Sequence, residues 1–415
     1  MVMYSWTMLM NGAGVWEVGD TRSTTYLTGT PRSSASPSGK AKASGRPLHR
    51  EFAYHPKPAN LIDRVSNVVG LITGTATTDS PNITVAQLGD RLVVCLTETT
   101  KGTILVDPDT LATVGKFGYT DKVGGMLQSE SEFLTLLPDL FRPGYTVVRM
   151  EAGGNERRVV GRVDCRGGPT PGWLHSLAVM EKYVVVPEMP LRYSTSIESE
   201  ATFYAFDWLP ESGSYMHVAS VEVPPFMVFH FINAYEEKGE YGQDTALIVD
   251  CCEYYADPTM LHTLLLRNLR SSTGKDALPD SRVGRFRIPL DGSPFGELKT
   301  ALDPEEHGRG VDMCSVNPSR LGNKYRYVYA CGARRPCSSL NTQGAVPSEP
   351  FFVARPGATN EDDAMFMGML AKFPSALAAG YVLVLDATTF QEIARVRLPY
   401  GLPYGFHGCW IPEKI

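Results

Sequence analysis

The feature that most constrains the fold is a pattern that repeats from Ile83 to the end of the chain. Short runs of β-branched and aromatic residues alternate with turns built from Gly, Pro, Asp and Asn, as in Arg91 to Thr97 and Tyr381 to Asp386. Runs of this kind, about ten residues apart, are typical of antiparallel β-strands. Because no helix-length period separates most of them, a βαβ sheet is excluded. So many runs in one chain predict an all-β fold, and specifically a β-propeller.

Charge and hydropathy exclude two kinds of partner. The 415-residue chain has 39 Lys and Arg against 45 Asp and Glu, which gives a formal net charge of -6. It contains no basic stripe that could neutralise phosphates, so we expect no nucleic-acid partner. No segment approaches the roughly 20 uninterrupted apolar residues of a membrane-spanning helix. The first 20 residues also lack the pattern of a targeting peptide, so no transit peptide is evident in the sequence.

The composition divides the chain into three parts. Residues 1–20 contain a strand-like segment, which we interpret as an N-terminal strand remnant. Residues 21–50 are rich in Ser, Thr, Gly, Pro, Lys and Arg, and this composition predicts a flexible linker. Residues 51–415 form the predicted propeller domain. The linker interrupts the strand pattern, so the propeller could be incomplete at its N-terminus.

One amphipathic helix is predicted over residues 257–270. Its apolar residues recur about every 3.6 positions, at Met260, Leu261, Leu264, Leu265 and Leu269. We expect a few such helices to cap one face of the propeller. This one could make a peripheral membrane contact. Packing of the helix against its own sheet explains the same pattern, so both interpretations stay open.

Three of the eight histidines have surroundings that suit a metal ligand. His175, His230 and His407 each lie among aromatic residues, and apolar surroundings favour the uncharged imidazole that can bind a metal. They are far apart in the chain, as expected for ligands that project from different blades towards one point. Three unrelated core histidines would explain the sequence equally well. The other five are interpreted as solvated or hydrogen-bonded: His49, His55, His217, His262 and His307.

Carboxylates that could orient such ligands occur in apolar or turn segments. A ligating histidine commonly donates its second N–H to a carboxylate. The candidates are Glu98, Asp312 and Glu349, although each alone is more often a turn or cap residue. The chain contains no P-loop, nucleophile elbow or His-Glu-x-x-His motif.

The runs around these histidines resemble the carotenoid cleavage dioxygenase family. His230 lies in FHFINAYEE and His407 in LPYGLPYGFHGCWIP, while GSYMHV and RFRIPLDGSPFGEL are further matching runs. The similarity extends roughly from residue 50 to the end of the chain and is greatest to the plant strigolactone branch. It implies a seven-bladed propeller with a non-haem Fe(II) on its axis. The implied activity is cleavage of a conjugated double bond of an apocarotenal by dioxygen, in the formation of carlactone.

The resemblance also implies roles for the candidate residues. His175, His230 and His407 match three of the family's four iron ligands, and Glu98 and Glu349 match glutamates behind the ligands. Asp312 stands where most of the family has a glutamate. Nitrogen ligands without a coordinating carboxylate leave positions for dioxygen beside a bound polyene. We expect an apocarotenoid and O2 as partners, a plastid location and a monomer.

The sequence departs from the family at the first iron ligand. The family has this histidine in an Ala-His-Pro stretch directly before the segment that matches Glu130 to Leu137, but residues 126–133 contain no histidine. The N-terminal His-x-Phe-Asp-Gly stretch of the family is also missing. A non-catalytic apocarotenoid-binding or defective propeller is therefore the alternative function. A propeller used for protein contacts is a third, weaker possibility.

Aromatic residues near the histidines could line a substrate tunnel. A plain core role explains each of them as well. The candidates are Trp173, Phe226, Phe229, Phe231, Phe351 and Phe406.

Overall fold

The computed structural model describes most of the chain after residue 82. It covers residues 83–88, 92–96, 103–108, 112–123, 133–193, 206–218, 220–259, 280–332, 345–372, 379–401 and 407–412, together with short strands within residues 6–31. The regular secondary structure of these residues is almost entirely β, as the sequence predicts.

The strands are short and follow one another closely. The first fifteen are β1 (Trp6–Met10), β2 (Ala13–Val15), β3 (Glu17–Val18), β4 (Thr21–Arg22), β5 (Thr30–Pro31), β6 (Thr84–Leu88), β7 (Leu92–Leu96), β8 (Ile104–Val106), β9 (Thr113–Lys116), β10 (Leu134–Asp139), β11 (Gly144–Met150), β12 (Arg157–Asp164), β13 (Ala178–Val179), β14 (Val184–Glu188) and β15 (Leu191–Tyr193). The others are β16 (Phe206–Trp208), β17 (Ser214–His217), β18 (Val221–Val223), β19 (Val228–Lys238), β20 (Asp244–Glu253), β21 (Arg282–Pro289), β22 (Glu297–Thr300), β23 (Val311–Ser315), β24 (Tyr329–Gly332), β25 (Ala345–Pro347), β26 (Phe351–Ala354), β27 (Ala364–Lys372), β28 (Ala379–Asp386), β29 (Glu392–Gly401) and β30 (Gly408–Pro412).

Antiparallel sheets succeed one another along the chain. Their strand orders are β6-β7-β8-β9, β10-β11-β12, β13-β14-β17-β18, β19-β20-β21-β22, β23-β24 and β25-β27-β28-β29, with β26 also paired to β27. Each sheet is thus built from strands that lie close together along the chain, which is the strand arrangement expected of propeller blades. The strand β1 pairs with β30, placing Trp6 opposite Pro412 and Met10 opposite Gly408. This pairing joins a strand near the start of the chain to one near its end.

The sheet of β19 to β22 illustrates how the apolar or polar character of a strand predicts its burial. Most of β20 is buried, and its run from Ala246 to Cys252 is nearly all apolar, as expected for a strand covered on both faces. Its polar exception is Asp250, which accepts hydrogen bonds from Arg285 Nε at 2.7 Å and from the Tyr325 hydroxyl at 2.7 Å. In contrast, β22 is mostly exposed. The opposite edge strand, β19, carries His230.

A buried charged cluster lies beside the segment that leads to His175. Glu188 and Arg192 are both 0% exposed, and their Oε1 and Nη2 atoms are 2.9 Å apart. Glu188 Oε2 is 2.6 Å from His217 Nε2, and the backbone N–H groups of Arg166 and Gly167 donate to the same carboxylate at 2.9 and 3.0 Å. The cluster therefore holds residues 166–167 against the sheet. His217 is thus buried and hydrogen-bonded, the second of the two states, solvated or hydrogen-bonded, in which the sequence placed it.

Helices are few and short among the described residues. They comprise the helix α1 (Pro304–His307), and two 3-10 helices at Pro210–Ser212 and Pro318–Arg320. Asp303 caps α1 by accepting a hydrogen bond from the Glu305 N–H at 2.9 Å. Within the part of the chain that the structure describes, no helix has the length and apolarity needed to cross a bilayer.

Two predictions stay predictions. The helix over residues 257–270 lies mostly outside the described residues, which end in turns at Thr259 before resuming at residue 280. The division into residues 1–20, 21–50 and 51–415 is likewise untested.

Candidate metal centre

The three candidate metal ligands come from three separate parts of the fold. His175 lies in the loop between β12 and β13, His230 lies on β19, and His407 immediately precedes β30. His175 and His407 are buried, and the His230 side chain is only 13% exposed. The fold thus gathers histidines that are distant in sequence, as predicted.

The imidazole nitrogens of these residues converge on one point. All three candidate ligand atoms lie within 4.8 Å of one another. His230 Nε2 is central, at 3.0 Å from His175 Nε2 and 3.1 Å from His407 Nε2. Two imidazole nitrogens that bind one ion at about 2.1 Å and at right angles are about 3.0 Å apart. Both pairs therefore have the spacing of neighbouring ligands.

Two of the predicted carboxylates lie directly behind these rings. His230 Nδ1 is 2.7 Å from Asp312 Oδ1, and His407 Nδ1 is 3.3 Å from Glu349 Oε1. When each Nδ1–H donates to its carboxylate, the Nε2 lone pair is left free to face the centre. The second oxygen of Glu349 accepts a hydrogen bond from the Gly408 N–H at 3.3 Å, so this glutamate also holds the strand that follows His407.

Asp312 is a buried carboxylate whose pKa is lowered by its neighbours. Burial raises its pKa, but the neighbouring His230 and the hydroxyl of Tyr254 lower the pKa by more than burial raises it. The net result is a pKa lowered from 3.8 to about 2. The lowered pKa favours the ionised carboxylate, which accepts a hydrogen bond from His230.

Ser176 joins the His175 loop to the strand of His230. Its hydroxyl donates to the Phe229 carbonyl at 2.5 Å and accepts from the Phe231 N–H at 3.4 Å. The register of β19 against β20 is irregular at this place, between Val228 and Phe231. Neither Ser176 nor Tyr254 is predicted as a site residue from the sequence. The position of Ser176 next to His175 was the one available signal, and nothing in the sequence distinguishes Tyr254.

The aromatic candidates divide between the site and the core. The Trp173 ring stacks on His175 with a centroid separation of 5.9 Å and meets Phe229 edge-on at 5.1 Å. Phe229 also lies edge-on to His175 at 5.2 Å. Phe226 is fully buried against Phe286, with centroids 5.1 Å apart, so it packs in the main core.

The remaining aromatic candidates have less direct placements. Phe231 is partly buried and packs against the main core. Phe351 is buried on β26. Phe406 lies outside the described residues, as do Glu98 and residues 124–132.

The chain is thus an all-β protein in which three histidines that are distant in sequence converge on one point. The family model described as retinal pigment epithelial membrane protein, RPE65, matches residues 36–412. Since this match covers most of the chain, the protein belongs to the RPE65 and carotenoid cleavage dioxygenase family, and the resemblance noted in the sequence is confirmed.

Individual relatives agree with this assignment. The chain is 59% identical to carotenoid cleavage dioxygenase 8 homolog A, chloroplastic, of Oryza sativa subsp. japonica, over 98% of this chain and 82% of that protein. It is 48% identical to carotenoid cleavage dioxygenase 8, chloroplastic, of Arabidopsis thaliana, over 98% of this chain and 81% of that protein.

Solved structures agree on the fold. A variant of the Synechocystis apocarotenoid oxygenase matches with a TM-score of 0.74 at 19% identity, over 99% of this chain and 93% of that one. The cobalt-substituted form of the same oxygenase matches with a TM-score of 0.73 at 18% identity, again over 99% and 93%. The predicted all-β propeller fold is thereby confirmed.

Proposed function

We propose that the protein is a non-haem Fe(II) dioxygenase of the plastid that cleaves a conjugated double bond of a carotenoid-derived apocarotenal in carlactone formation, and that the absence of the first histidine impairs this activity. The observation that carries the proposal is the convergence of three imidazole nitrogens, with His230 Nε2 only 3.0 and 3.1 Å from its neighbours. Membership of the family and the names of the rice and Arabidopsis relatives support the reaction class and the location.

The donor set fits a divalent transition metal. Imidazole nitrogens suit iron, and also cobalt, which the related Synechocystis oxygenase accepts. Two of the three rings have a carboxylate at Nδ1, which orients them with Nε2 towards the centre. His175, His230 and His407 would therefore hold the metal.

The protein supplies orientation and an apolar surface to the reaction. When bound, Fe(II) supplies the means to activate dioxygen towards the double bond. Trp173 and Phe229 contact the His175 ring and present an apolar surface, which suits a polyene and disfavours water. Asp312 and Glu349 keep the His230 and His407 rings in place. No protein nucleophile is required.

Insertion of the missing ligand segment tests the function. We expect weak or no conversion of a cis-configured apocarotenal by the chain as it stands, because the three remaining ligands do not limit where dioxygen binds relative to the polyene. Inserting Ala-His-Pro between Ser129 and Glu130 should raise conversion. The measurement is cleavage product per bound iron, by chromatography, for both proteins loaded with Fe(II) under anaerobic conditions.

Each outcome of this comparison has a distinct meaning. Higher turnover after insertion supports the proposed dioxygenase and the need for a fourth histidine. Equal and substantial turnover in both proteins would show that the fourth histidine is dispensable. Iron and apocarotenal binding without turnover in either protein would favour the non-catalytic binding propeller instead.

Glu349→Gln should weaken metal binding by about 10 to 100-fold, because His407 would lose its charged acceptor. The measurement is competition of metal-depleted protein with a chelator for Fe(II). Glu361→Gln is the matched control. Glu361 accepts hydrogen bonds from the backbone N–H groups of Arg326 and Tyr327 at 2.7 and 2.9 Å, so it supports a loop and not a histidine ligand. Equal affinity in Glu349→Gln and the unmodified chain would show that Glu349 serves only its turn and the Gly408 N–H.

A further inference from the structure

The carboxylate behind His230 is held by an unusual backbone. Asp312 lies on β23, whose pairing with β24 is irregular between Asp312 and Ser315. The next residue, Met313, has a φ of 53°, in the left-handed region that non-glycine residues seldom occupy. Irregularities of this kind re-aim a side chain out of the regular strand direction. Here the Met313 N–H donates to Asp312 Oδ1 at 2.8 Å, the same oxygen that lies 2.7 Å from His230 Nδ1.

The other oxygen of Asp312 has its own donor. The hydroxyl of Tyr254 donates to Asp312 Oδ2. Tyr254 is 5% exposed, its N–H donates to the Met227 carbonyl at 2.9 Å, and its ring lies edge-on to Phe229 at 5.8 Å. Ring and backbone are thus both fixed, so the hydroxyl is held in place where it meets the carboxylate.

This contact links two sheets around the ligand. Tyr254 directly follows β20, the strand paired with the His230 strand, whereas Asp312 belongs to the separate sheet of β23 and β24. An aspartate has one methylene fewer than glutamate, so its carboxyl group has less reach towards the ring. The torsion about its last carbon–carbon bond is broad, and hydrogen bonds to both oxygens are what fix the plane of the carboxylate.

We propose that Tyr254 is a positioning residue: its hydroxyl fixes the Asp312 carboxylate, and Asp312 in turn holds His230 with Nδ1 protonated and Nε2 facing the metal. The proposal rests on the proposed function in that the bound group is the metal of that site. Tyr254 is not one of the three histidine ligands, and the role proposed for it is exerted through Asp312.

The experiment is a double-mutant cycle of metal affinity with Co(II) as the probe. Tyr254→Phe keeps the ring against Phe229 and removes only the hydroxyl. We expect it to weaken Co(II) binding to the metal-depleted full chain by about 10-fold and to change the Co(II) absorption spectrum. In the Asp312→Asn background the same substitution should change affinity by less than about 2-fold, because the carboxylate it orients is already gone.

Tyr325→Phe is the matched control. It removes a tyrosine hydroxyl that donates to a different buried aspartate, Asp250, at 2.7 Å. It should leave Co(II) affinity and spectrum unchanged. Unchanged Co(II) affinity in Tyr254→Phe, or an equal loss with and without Asp312, would overturn the proposal.

Two further measurements decide the remaining cases. If Tyr254→Phe does not fold, a ring-fluorinated tyrosine at position 254 keeps the hydroxyl as a stronger donor and should shift the Co(II) spectrum; an unchanged spectrum would overturn the proposal. If the unmodified chain binds no Co(II), the proposed function fails. The Tyr254 proposal is then decided by nitrogen NMR of the metal-free protein, where Tyr254→Phe should reduce the Nδ1-protonated tautomer of His230 and an unchanged tautomer would overturn it.

Discussion

Replacing His230 with alanine is expected to reduce metal affinity by more than about 100-fold, beyond the loss typical of residues behind the ligands. The reason is its central place, since its Nε2 is the atom that lies 3.0 Å from His175 Nε2 and 3.1 Å from His407 Nε2. The substitution also leaves the ionised Asp312 without its imidazole partner. Metal content per chain after dialysis against a weak chelator measures the effect.

The control for this substitution is His307→Ala. His307 lies on α1 with a side chain that is 49% exposed, and its Nε2 is 3.8 Å from Glu306 Oε2. Its replacement should therefore leave metal content unchanged. Retention of one metal per chain in His230→Ala would mean that the metal binds elsewhere and that the three histidines are core residues, the alternative that the sequence left open.

Replacing Glu188 with alanine is expected to lower the free energy of unfolding by about 3 to 5 kcal/mol, because it leaves the guanidinium of Arg192 buried without a counter-charge. Both side chains are 0% exposed, so water cannot take over the lost interaction. Urea denaturation followed by circular dichroism measures the change. Glu297→Ala removes the partner of Lys299 from an exposed pair and should leave the unfolding midpoint nearly unchanged.

The Glu188→Ala substitution should also weaken metal binding by the three histidines. Glu188 holds Arg166 and Gly167 at the start of the loop that continues to Trp173 and His175. Arg192 extends the same network by donating to the Thr170 carbonyl at 2.9 Å. Metal affinity should therefore fall together with stability. A stable Glu188→Ala protein with unchanged metal affinity would show that the loop is held by its other contacts alone.

Local pattern was sufficient to predict the strands and to select the three histidines as candidate ligands. The β-branched and aromatic runs predict strands because side chains of a sheet alternate between its faces, and this information lies within a few residues. His175, His230 and His407 were selected because their aromatic neighbours predict burial, and apolar surroundings favour the uncharged imidazole that can bind a metal. Asp312 and Glu349 were candidates because of their apolar or turn settings, and the resemblance to a known family implied their roles. The structure places both beside a histidine.

The tertiary structure alone decided how these residues are supported. Tyr254 lies 58 residues from Asp312, and Ser176 lies 53 residues from Phe229, so no local period connects either pair. His217 looked like an ordinary strand residue, yet it shares Glu188 with Arg192 in a cluster that secures the His175 loop. Such contacts depend on the packing of one sheet against the next and on irregular strand pairing at Met313. Sequence by itself therefore determined which side chains are candidates for the proposed chemistry, whereas the three-dimensional packing decided which residues orient them, because orientation depends on distances between segments that the chain order does not specify.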